Sequence, residues 1–148
     1  MLNFLFVLVL NFGIFPLSFG IKLSITKLQL QDKQLVEINA EMFEGMDNLE
    51  ILWLFRNKLT SVPLNTFIKL TKLKEIYLSD NQIEELPNGL FKNNVNLVEI
   101  YLYSNKLKFI GSTLFDGLTK LNLVNLNENV CINKDYSGST EINQLKED

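Results

Sequence analysis

The feature that most constrains this chain is a period of twenty-four residues that runs without insertion or deletion from residue 25 to residue 131. Blocks open at Ile25, Leu49, Leu73, Leu97 and Leu121. The fourth place of each block holds Leu28, Leu52, Ile76, Ile100 and Val124, and the sixth holds Leu30, Leu54, Leu78, Leu102 and Leu126. The ninth place is Lys33 in the first block and then Asn57, Asn81, Asn105 and Asn129. Late in each complete block come Phe43, Phe67, Phe91 and Phe115. A fixed period of this length is the mark of a solenoid, in which each unit buries its apolar edge only by stacking on its neighbours. Side chains alternate along a strand, so the fourth and sixth places point inward together and the fifth and seventh point outward. The asparagine amide both donates and accepts, which suits it to satisfy backbone groups where the chain turns off the strand.

The stretches "LEILWLFRNKLTSVPLNTFIKL" and "LKEIYLSDNQIEELPNGLF" resemble the leucine-rich repeat family, in its twenty-four-residue extracellular type. The resemblance implies an α/β repeat solenoid, a horseshoe with a short curved parallel sheet on its concave side and mostly turns on its convex side. It also implies that the outward places of the strands face the concave surface. Four residues depart from the pattern. Lys33 leaves the first block without its own asparagine stitch, Asn94 stands where Met46, Leu70 and Leu118 are apolar, and Asn39 and Gly111 replace Pro63 and Pro87. Val95 is expected to fill the gap beside Asn94.

The segment from residue 1 to residue 20 is uncharged and apolar-leaning, is interrupted by Gly13 and Pro16, and ends with the small residues Ser18 and Gly20. It reads as a secretory signal peptide cut after Gly20, with a signal anchor as the alternative. The repeat domain is assigned to residues 21–133 and a polar tail to 134–148. Ile21, Leu23 and Ile25 alternate and are expected to add an edge segment. No cysteine cap precedes the first repeat, which leaves an end able to associate. Truncation, dimerisation through that end and cover by residues 1–20 all remain open. The single cysteine, Cys131, falls on a core column and is read as a buried thiol or as a cap cysteine that pairs between chains.

Composition narrows the function. The chain has no histidine, which removes Ser-His-Asp and Cys-His catalysis and most zinc ligation. A net charge of −3 without a basic cluster argues against a nucleic-acid partner. No phosphate loop, calcium loop or metal-ligand spacing occurs, so neither enzyme nor cofactor is expected. Glu84 and Glu85 read as solvated charges. The outward places hold Gln29, Trp53, Tyr77, Tyr101 and Asn125 in one column, and Gln31, Phe55, Ser79, Tyr103 and Asn127 in the next. Trp53, Phe55, Tyr77, Tyr101 and Tyr103 thus converge on one face, framed by Arg56 and Asp80, with Glu75, Glu99 and Lys27 beside them. Aromatics within a mixed polar rim are the composition of a protein-binding surface.

The sequence therefore predicts a secreted recognition module that binds a protein ligand or receptor through this aromatic face. The alternative is a structural or regulatory chain that docks another repeat protein, or its own copy, through the uncapped end. N-terminal sequencing of secreted chain should return Ile21 as the first residue; a product that begins at Met1 and stays on membranes would establish the anchor instead.

Overall fold

The computed structural model describes residues 24–130 and the backbone of 135–137. The expectations for residues 1–23 and for Cys131 lie outside the described residues. Each block contributes one three-residue strand: β1 (Lys27–Gln29), β2 (Ile51–Trp53), β3 (Glu75–Tyr77), β4 (Glu99–Tyr101) and β5 (Leu123–Asn125). They pair in chain order, all parallel, with partners twenty-four residues apart throughout, as in Leu28↔Leu52 and Ile76↔Ile100. The pairing outlasts the strands. Leu54 N–H donates to Tyr77 O at 2.8 Å, and Arg56 N–H donates to Ser79 O at 3.1 Å. The sheet is therefore regular as far as the turn that follows each strand.

That turn is made the same way in every block. Asp32, Arg56, Asp80, Ser104 and Glu128 all adopt left-handed φ values, between 51° and 57°. Left-handed backbone is uncommon for residues with a Cβ, and here it reverses the chain so that the next residue points inward. From the second block onward the next residue is the asparagine. Asn81 Oδ1 accepts from Leu59 N–H at 3.0 Å, and its Nδ2 donates to Leu54 O at 3.1 Å and Leu78 O at 2.9 Å. Asn57, Asn105 and Asn129 repeat the arrangement, so each amide ties its own turn to the one before it. The first turn is stitched from one side alone. The first turn lacks its own asparagine yet is stitched by Asn57, whose Oδ1 accepts from both Lys33 N–H and Leu35 N–H.

The core is a set of columns. The inward places are fully buried from the second block onward, and Phe43, Phe67, Phe91 and Phe115 form a spine behind them. The Phe43 and Phe67 rings lie 5.9 Å apart, and Phe67 and Phe91 stack at 6.0 Å and 5°. Ile25 packs partly buried against the N-terminal end of this core. On the convex side the only helical element among the described residues is a 3-10 turn, Ala40–Phe43. Asn39 caps it, accepting from Met42 N–H at 3.2 Å, which accounts for the missing proline there. Gly111 accounts for the other. A Cβ at that position would meet Asn88 Oδ1, which folds against the glycine.

Two findings differ from expectation. Val95 does not fill the place beside Asn94; it is largely exposed, while Asn94 itself is buried and donates to Phe67 O at 3.0 Å and Leu70 O at 2.9 Å. A polar side chain takes an apolar place because two carbonyls of the preceding repeat lie within its reach. The second is β6 (Asp135–Ser137), which pairs antiparallel with β5 in the stretch read as a polar tail. It covers the C-terminal edge of the sheet.

The two kinds of buried asparagine should differ sharply in mutation. Asn81→Ala strands a buried amide N–H of Leu59 and removes three further bonds, so denaturant unfolding should show a loss of about 2–4 kcal/mol. Asn94→Leu should be neutral or stabilising. Both carbonyls keep a backbone donor, and the substitution removes an Oδ1 that is buried without a partner.

Candidate functional site

The fifth-place column crosses the concave face in register, Gln29↔Trp53↔Tyr77↔Tyr101↔Asn125. Strands about 4.8 Å apart bring flat rings on neighbouring strands into stacking range. Tyr77 and Tyr101 stack at 4.4 Å and 9° between planes. Trp53 meets Tyr77 edge-on at 5.9 Å, and Phe55 closes the group at 5.7 Å from Trp53 and 6.5 Å from Tyr77. Four of the five aromatic residues singled out from sequence thus form one ring cluster. Tyr103 flanks it on the seventh-place column, separated from Phe55 by Ser79. The rings are half-buried, because each shields its neighbour. The large apolar side chains with most exposure, such as Phe109 and Val36, lie elsewhere.

Charge is distributed unevenly on this face. Lys27 Nζ stands 3.4 Å over the Trp53 ring and the Arg56 guanidinium 5.7 Å from the Phe55 ring, both in cation–π range at the β1–β2 side. Asp80 lies toward the other side, and its N–H donates to Tyr103 O at 3.0 Å. That bond holds it through its backbone. Glu75 and Glu99 accept from the hydroxyls of Tyr77, at 3.0 Å, and Tyr101, at 2.7 Å. Each pair is i, i+2 on one strand, so both side chains rise from the same face.

These carboxylates and Lys27 were seen only as a frame in the sequence, although a signal was available. The tripeptide Glu-Ile-Tyr recurs unchanged at 75–77 and 99–101, which places a carboxylate beside a phenol twice in register. Ser79 was missed because a small residue between Phe55 and Tyr103 in its column gives no chemical signal. It is 1% exposed, and its hydroxyl has no hydrogen-bond partner. The Trp53 indole N–H and Gln31 Oε1 are likewise buried without partners. The face therefore concentrates unmatched polar atoms among aromatic rings.

The remaining surface is plainer. Glu84, one of the two carboxylates read as solvated, pairs with Lys108 at 2.6 Å, and both are exposed. The hydrogen bond from Lys108 lowers the Glu84 carboxyl and in turn raises the lysine. A shallow groove of about 340 Å³ on the convex flank lies between Pro63, Leu64, Pro87 and Phe109, with Ser61, Glu85 and Asn88 on its wall.

Burial among the rings raises the Tyr77 hydroxyl to about 12, and the hydrogen bond and charge of Glu75 push the same way. Burial and then Glu99 raise Tyr101 further. A raised folded-state pKa means that neutral tyrosine stabilises the fold. That contribution is complete below the ordinary tyrosine pKa near 10 and is lost as pH climbs through about 12. Ultraviolet titration should show tyrosine absorbance developing late, and Glu99→Gln should move part of it to lower pH.

The geometry matches known structures. Residues 24–83 and 71–130 match the leucine rich repeat family model. The leucine-rich repeat domain of APL1B superposes with a TM-score of 0.72 at 24% identity, over 75% of this chain and 33% of that one. In the Drosophila Toll–Spatzle complex, a match with a TM-score of 0.58 at 29% identity covers 66% of this chain and 14% of that one. The TLR13–ssRNA13 complex gives 0.68 at 24% identity, over 72% of this chain and 15% of that one. This chain thus spans a third or less of the length of these structures. No curated protein matches it in sequence. With its register, asparagine stitches and family match spanning residues 24–130, the chain belongs to the leucine-rich repeat family.

Proposed function

We propose that this chain is a secreted recognition module that binds a protein through its concave aromatic face. The observation that carries this reading is the cluster of Trp53, Phe55, Tyr77 and Tyr101 on a surface whose core-facing columns are already filled without them. Trp and Tyr dominate the energetics of protein interfaces because they bury large area with few rotamers to freeze. The Toll structure, with its Spatzle partner, supports a protein ligand by analogy. An RNA ligand fits this face less well, since Glu75, Glu99 and Asp80 would oppose phosphate. The scaffold is one of protein interaction, and no residue set on the face suits catalysis. Among the described residues no helix is long and apolar enough to cross a membrane. Few repeats make a small surface, so affinity is modest unless copies associate.

The test is a binding screen against extracellular proteins, followed by substitution. Trp53→Ala with Tyr101→Ala should weaken binding by about a hundredfold or more while circular dichroism stays native. Unchanged binding in a folded double variant would reject the concave face. Sensitivity to Ile25→Ser instead would favour docking through the N-terminal end.

A further inference from the structure

The concave face has a direction of charge that its own residues leave incomplete. Its two cations stand at the β1–β2 side, against Trp53 and Phe55. On β3 and β4, Glu75 and Glu99 are direct partners in register, bracketed in their column by Ile51 and Leu123. Like charges directly opposite on neighbouring strands repel. Each carboxylate accepts one tyrosine hydroxyl, and neither forms an ion pair among the described residues.

The rings beside them are equally one-sided. Tyr77 covers one face of Tyr101 in a near-parallel stack. The opposite face of Tyr101 looks along the sheet toward β5, where the next member of the column is Asn125 and not a ring. On the same face the Ser79 hydroxyl is nine-tenths buried or more and unpartnered, as is the Trp53 indole N–H atom. Both are buried polar atoms on this face with no hydrogen-bond partner among the described residues.

We infer that this half of the face takes an arginine side chain of the protein partner, its guanidinium against the side of Tyr101 that Tyr77 does not cover and its N–H edge on the Glu99 carboxylate. This rests on the concave-face reading above. Glu75 adds its charge from the neighbouring strand. Arginine fits better than lysine because a planar guanidinium stacks on a phenol and still presents parallel donors to a carboxylate. Lys27 on Trp53 is the same kind of contact, already made within the chain at the other side of the cluster. Both tyrosine hydroxyls are raised partly by these carboxylates, in keeping with a negative potential at this spot.

The probe is acetyl-Arg-Gly-amide, titrated into the ¹⁵N-labelled full chain beside its lysine and citrulline counterparts. Saturable shifts are expected in the amides of residues 99–103 and 123–125. Arginine should bind about fivefold tighter than lysine and tenfold tighter than neutral citrulline. Glu99→Gln and Tyr101→Leu should each weaken the arginine probe by about five- to tenfold, and Lys74→Ala should not. Indistinguishable probes, or arginine shifts indifferent to a folded Glu99→Gln or Glu75→Gln variant, would overturn the inference. If the probe finds no site while Trp53→Ala with Tyr101→Ala still abolishes protein binding, the arginine is wrong and the concave-face reading stands. If neither result is obtained, both fall.

Discussion

The asparagine at the ninth place of the second to fifth blocks is the contact on which the other regularities rest. Its side chain is bonded on three sides to backbone, accepting from one turn and donating to carbonyls of two. A bond that spans two turns makes every repeat answer to its neighbour. An extra residue between strand and asparagine would carry the amide out of reach and leave buried backbone groups unpaired. The left-handed residue that precedes it belongs to the same device. Arg56 and Ser104 accept an unfavourable φ there because the inward amide bonds over-determine the turn.

Strict register has a consequence on the opposite surface. Whatever side chain a block presents on the concave face is repeated at one strand spacing, so side chains meet others of the same column. Rings become a stack, as with Tyr77 and Tyr101, and carboxylates become opposed like charges, as with Glu75 and Glu99. The convex side is under no such rule. There a 3-10 turn capped by Asn39, and a glycine that makes room for Asn88, serve equally well between the same buried phenylalanines. Variation is absorbed on one side of the solenoid and amplified on the other.

This asymmetry explains how far the sequence could be read. Columns that depend on place number alone were legible, including every inward residue and the membership of the aromatic face. Contacts that depend on reach were not. Lys33 reads as a missing stitch until Asn57 is seen to serve the turn before its own. Asn94 reads as a gap, because its two carbonyl acceptors lie in the preceding block and no pattern within a block reveals them. Tyr103 has the right place but no ring partner among the described residues, since the small Ser79 stands between it and Phe55 in their column. The pairing of β6 with β5 reverses chain direction, so a twenty-four-residue period carries no trace of it.

The cost side of the concave face bears on whether its rings serve only to stiffen the sheet. Cross-strand aromatics alone could be explained as packing, since stacked rings stabilise a sheet by about 0.2–1 kcal/mol a pair. Opposed carboxylates at Glu75 and Glu99 work against that gain, and the buried, unpartnered Trp53 N–H and Ser79 hydroxyl add a desolvation penalty. A face shaped only for stability would replace them with threonine or valine at no loss to the core. Their grouping around one ring cluster, while the asparagine ladder and phenylalanine spine are almost fully satisfied, supports a surface whose polar partners come from another molecule.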